Sequence, residues 1–103
     1  MKAYQVTFSE LARRQLFEIY DYIADQADPI TALGYIERIE AYCRGFSTIA
    51  ERGTLRDDLR PGLRLVGFER RVTIAFAVAG DQVVILQILY GGRNVDALLN
   101  DNE

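Results

Sequence analysis

Arginine and tyrosine are the residue types of this chain that could do chemistry by their placement, since it has no histidine and a single cysteine. Arg60, Arg64, Arg71 and Arg93 recur through the C-terminal half, where Tyr90 precedes Gly91-Gly92-Arg93. A guanidinium keeps its charge and forks onto a carboxylate or phosphate, so these groups can grip anions. Its pKa above ~12 makes it a poor proton donor. Two readings of the arginines stand at this point. Arg52, Arg56, Arg60, Arg64, Arg70 and Arg71 are interrupted by Asp57, Asp58 and Glu69, which suits a solvated surface of mixed charge. Alternatively, Arg60, Arg64, Arg71 and Arg93 gather with Tyr90 on one sheet edge and meet an acidic partner. Alternation sets Arg64 opposite in facing to Leu63 and Leu65, so it is expected to point outward. Tyr90 can simply pack with its hydroxyl at the surface, and Gly91-Gly92 can end the strand by adopting unusual backbone angles. With neither histidine nor a second thiol, no metal site and no cofactor are expected.

The bulk numbers narrow the class. A chain of 103 residues, half of them hydrophobic, suits one domain over 1–103 with a core that needs no staples. Cys43 cannot form an intramolecular disulfide and lies in a helical apolar pattern, so it reads as packing. No run approaches the ~20 apolar residues of a membrane span. Met1-Lys2-Ala3-Tyr4 leads into a strand pattern without a signal-peptide core, so a soluble, cytoplasmic protein is expected. A net charge of -3 argues against a general or sequence-specific nucleic-acid binder.

These groups must be positioned by the elements between them. Tyr4, Val6 and Phe8 alternate with polar residues as a strand does, and Ser9 then caps a helix. Ala12, Leu16, Ile19 and Ile23 mark that helix's apolar face, broadened by Leu11 and Tyr20, and Glu18 stands four residues after Arg14 as a candidate pair. Asp28-Pro29 breaks this helix and opens a second. Its apolar positions continue from Ala32 through Ile49 and Ala50 to a stop at Arg52-Gly53, with a close contact or bend expected at Gly45. A polar connection covers Thr54 to Gly62. Strands are predicted over Leu63–Phe68, Arg70–Val78 and Val83–Leu89, the last central and the final two joined by a turn at Ala79-Gly80-Asp81. A polar tail follows, with Val95, Leu98 and Leu99 as its apolar positions. The order β-α-α-β-β-β predicts an α+β fold: a small twisted antiparallel sheet packed against an N-terminal helical hairpin. The flank of such a hairpin can form a groove for an amphipathic segment, with Leu16, Tyr20, Ile23, Tyr35, Ile39 and Tyr42 as candidate lining and Tyr22 as a further surplus aromatic.

The order and spacing of several short motifs resemble the ParE branch of the RelE/ParE toxins of type II toxin–antitoxin systems. The motifs are Phe8-Ser9 with Ala12, Ile19 and Tyr22-Ile23; Pro29 with Ala32; Asp58-Leu59-Arg60-Pro61-Gly62-Leu63-Arg64; and Tyr90-Gly91-Gly92-Arg93. The likeness extends from Tyr4 to Asn94. It implies a toxin that inhibits DNA gyrase by binding, is not itself an enzyme, and is silenced by a cognate ParD-like antitoxin. The RelE branch instead cleaves messenger RNA in the ribosome, and its chemistry is the alternative for this chain, using Arg60, Arg64, Tyr90 and Arg93. That chemistry needs groups to activate a 2′-hydroxyl and protonate a leaving oxygen. Here Lys2 is the only lysine, and the tail beyond Arg93 has no Tyr, Lys, Arg or His. Tyr90 and Phe76 stand where ParE-like sequences often carry His and Tyr. Binding is therefore the expectation.

Overall fold

A computed structural model describes residues 3–91 of the chain; Lys2, Gly92, Arg93 and the polar tail lie outside the described residues. The elements are β1 (Gln5–Phe8), α1 (Glu10–Gln26), α2 (Pro29–Arg44), a 3₁₀ turn (Gly45–Ser47), β2 (Thr54–Leu55), β3 (Leu63–Phe68), β4 (Val72–Ala79) and β5 (Gln82–Tyr90). The α+β class and the helical hairpin that follows the first strand match the sequence expectation. The sheet, however, is mixed and has five strands in the order β1-β5-β4-β3-β2. β1 runs parallel to β5, and the remaining pairs are antiparallel. The fifth strand, β2, falls within the stretch expected to be only a polar connection.

Local chemistry sets the element ends. The Ser9 hydroxyl accepts from Ala12 N at 3.0 Å and donates to Leu86 O at 2.8 Å, so one side chain starts α1 and ties it to β5. Asp28 accepts from Thr31 N at 2.7 Å ahead of Pro29. The second helix ends earlier than its apolar spacing implied. At Gly45 the backbone tightens into the 3₁₀ turn that swings Phe46 fully into the core, while Ile49 is left exposed. Ser47 O then accepts from Tyr4 N at 2.8 Å, giving that carbonyl a partner just ahead of β1 instead of a helical one. The strand expected to begin at Arg70 starts at Val72, because Glu69 and Arg70 take φ of 50° and 64°. Two consecutive left-handed residues make the β3–β4 hairpin turn.

Both helices bury one stripe against the sheet. Ala12, Leu16 and Ile19 from α1, and Tyr35, Ile39 and Cys43 from α2, meet Val72, Ile74, Phe76, Val83, Ile85 and Ile88. Phe46 and Phe76 pack with centroids 4.7 Å apart. Burial raises the Cys43 thiol to about 12, an inert state. No ion pair joins Arg14 to Glu18 among the described residues; the bridges are Arg38–Glu69 and Arg56–Asp58.

One buried polar contact holds the sheet's flank. The pairing passes from Ala75↔Gln87 to Phe76↔Ile85, leaving Leu86 as a β-bulge beyond the reach of β1. Gln15 of α1 takes over there: its Oε1 accepts from Ile88 N at 2.6 Å, and its Nε2 donates to Gln87 Oε1 at 3.2 Å. Both glutamines are buried. Gln15→Ala leaves these groups unsatisfied, and we expect it to lower stability by about 1–3 kcal/mol in urea unfolding.

Candidate functional site

Two surfaces carry the residues with functional potential. The first is on the outer side of the helical hairpin. Phe17 and Tyr20 lie off the α1 core stripe, and Leu33 and Ile36 lie off that of α2. Together with Leu16 they line an apolar groove of about 650 Å³ whose polar members are Arg13, Asp21 and Glu40. Phe17 is 72% exposed and Leu33 52%. Of the six groove residues expected from sequence, Leu16 and Tyr20 lie here. Tyr35 and Ile39 are buried in the core, and Ile23 and Tyr42 pack half-buried against it. Their burial follows from 3.6-residue spacing, which turns one stripe of each helix inward. The signal that could have found Phe17 was its bulk on the wrong side of that stripe.

The second surface is the end of the sheet where Phe68, Val72 and Tyr90 lie side by side. Tyr90 packs against Tyr22 with centroids 5.7 Å apart and against Tyr35 at 6.1 Å. Arg71 reaches the cavity lined by Tyr22 and Tyr90, and beside it Glu69, Arg70, Arg71 and Gly91 line another. Arg38 holds Glu69 with two hydrogen bonds of 3.0 and 3.1 Å, and its guanidinium stands 5.1 Å from the Tyr35 ring centroid. The Tyr35 hydroxyl is buried with no hydrogen-bond partner among the described residues. Burial raises its pKa, the nearby Tyr90 and Glu69 add to this, and Arg38 and Arg71 oppose it.

The five residues expected to form one patch are divided. Arg71 and Tyr90 meet at this sheet end. Arg64 pairs with Phe76, four ladder positions from the Val72–Tyr90 pair and so ~13 Å away along the strands. Arg60 lies beyond Arg64, in the loop before β3, and Arg93 is outside the described residues. Nor does Arg64 point freely outward. It shares a face with Val66 and Phe68, which pack on the helical core, and it donates to Arg52 O at 3.4 Å. The alternation was as expected, but both faces of β3 are apolar, so opposing Leu63 and Leu65 did not mean facing solvent.

The resolved ionisation shifts all run away from neutrality. Hydrogen bonds from Arg38 hold Glu69 below its ordinary 4.5, and those from Arg56 hold Asp58 below 3.8. A carboxylate with a depressed folded pKa stabilises the fold above its unfolded value and loses that contribution as pH falls. Stability is therefore expected to decline below about pH 4.5, with a shallower decline in Glu69→Gln, read as urea midpoints against pH. Such groups suit gripping charge more than moving protons. Among the described residues no cluster of three potential ligands could hold a metal ion, and no helix is long and apolar enough to cross a membrane.

Residues 6–95 match the family model described as the ParE toxin of the type II toxin–antitoxin system, parDE. The chain belongs to the ParE toxin family. Its fold is similar to a solved structure described as the chromosomal ParDE TA system from P. aeruginosa, with a TM-score of 0.76 and 25% sequence identity. That likeness covers 87% of this chain and 98% of the other. Among curated proteins, none matches significantly.

Proposed function

We propose that this ParE-family chain is a toxin that inhibits DNA gyrase in the cytoplasm by binding, and that a ParD-like antitoxin silences it. The observation that carries the reading is the continuous family match over residues 6–95, which spans both surfaces. The antitoxin is assigned to the hairpin groove, where Phe17, Tyr20, Leu33 and Ile36 offer an amphipathic helix its apolar anchors. The target is assigned to the sheet end around Arg71 and Tyr90, where the Arg71 guanidinium shares a slot with the Tyr22 and Tyr90 rings. The division of Arg60 and Arg64 from Tyr90 disfavours the ribonuclease alternative, since these three groups do not meet at one place. Induced expression without the antitoxin is expected to halt division with a DNA-damage response and uncut transcripts. Codon-position cleavage of messages on ribosomes would overturn the assignment.

A further inference from the structure

The cavity at the sheet end has a composition that protein recognition does not require. β1 pairs with Gln82–Ile85 alone, so on the edge away from β4 the later half of β5 is flanked by α1 rather than by a strand. Gln15 closes that flank at Ile88, and beside this closure lies a slot of about 330 Å³. Ile19 and Ile88 give it an apolar lining, Tyr22 and Tyr90 supply aromatic rings, and Glu18 and Arg71 supply one charge of each sign. The two rings stand 56° apart, and Tyr22 remains 54% exposed. Neither Glu18 nor Arg71 has an ion-pair partner among the described residues. The unpartnered Tyr35 hydroxyl lies behind, close enough to Tyr90 and Arg71 for both to act on it.

We propose that this slot binds one nucleotide unit, with its base against Tyr22 and Tyr90, its phosphate on Arg71, and a base amino group donating to the Glu18 carboxylate. Base–aromatic stacking accepts any base, because every base has a π-face. The guanidinium fits a phosphate in a bidentate manner. A carboxylate accepts from an amino group, and from guanine it takes N1–H and the amino group together, whereas uracil and thymine have no amino group and offer only the single N3–H. The volume lies at the small end of ligand pockets, which suits a single unit. A net charge of -3 gives no long basic track for a nucleic-acid backbone, so the contact is local. An acidic peptide fits less well: it would meet the Glu18 carboxylate and leave the tyrosine faces unused.

The inference stands apart from the gyrase reading, since binding to the slot can be measured whatever the toxin inhibits. The test is a titration of the ¹⁵N-labelled full chain with GMP, dGMP, UMP, inorganic phosphate and hexaglutamate. GMP is expected to give saturable shifts at Tyr22, Tyr90 and Gly91, with inorganic phosphate and UMP each weaker by about tenfold. Arg71→Gln should weaken GMP by about tenfold. Tyr22→Ala, at a half-exposed side chain, should remove the advantage of GMP over phosphate without unfolding the chain. Equal binding of dGMP supports a slot for either nucleic acid, and tighter GMP supports one that reads the 2′-hydroxyl. Phosphate binding as tightly as GMP, hexaglutamate occupying the slot in preference, or no localised shift would each overturn the proposal.

Discussion

Phe17→Glu is expected to weaken antitoxin binding by about a hundredfold or more while leaving the toxin folded. Phe17 is the most exposed aromatic of the hairpin groove, at 72%. Aromatic anchors in an apolar groove dominate such interfaces, and their truncation commonly costs at least ~2 kcal/mol. A glutamate there also places a carboxylate in a groove that already holds Asp21 and Glu40. The folded chain has little at stake, because an exposed side chain away from caps and strain changes stability by roughly 0.5 kcal/mol or less. Titration calorimetry with the antitoxin and thermal melting of the free chain separate the two effects. Unchanged affinity would remove the groove from the antitoxin interface.

Phe46→Ala should do the reverse. Phe46 is fully buried, 4.7 Å from the Phe76 ring and 5.5 Å from Tyr42, at the point where α2 gives way to the 3₁₀ turn. Deleting the ring removes its transfer free energy and leaves a cavity between α2 and the sheet, a loss of about 3–5 kcal/mol. That is a large share of the ~5–15 kcal/mol by which domains are stable. The urea midpoint should fall steeply, and any loss of antitoxin binding should follow the unfolded fraction. A shift below ~1 kcal/mol would mean that the core repacks around the gap. Two phenylalanines, one on α1 and one in the 3₁₀ turn after α2, are thus assigned opposite duties by burial alone.

How far these duties could be read in advance differs from element to element. Ser9, Asp28 and Pro29 announced both helix starts, because capping acts within three or four residues of sequence. Gly80, with φ of 62°, marked its turn for the same local reason. The parallel β1–β5 pair was not legible, since it joins Gln5 to Gln82 and nothing local encodes such a partner. The Glu69–Arg70 turn was missed because left-handed residues there are neither glycine nor asparagine; Arg38 reaches across from α2 to hold Glu69 in place. At the candidate site, residue types were visible but their grouping was not. Arg64 and Tyr90 lie on strands that both flank β4, yet register keeps them apart, while Tyr22, read as part of the hairpin groove, is carried by α1 to Tyr90 at the sheet end. Register and helix phase decide such meetings, and both are settled by the whole fold.

The most direct test of the central claim is a gyrase supercoiling assay with the purified full chain, run with and without the ParD-like antitoxin. Toxin alone is expected to suppress supercoiling and accumulate cleaved DNA, equimolar antitoxin to restore activity, and the Phe17→Glu toxin to stay inhibitory in the presence of antitoxin. Full supercoiling at saturating toxin, with the chain folded, would contradict the account.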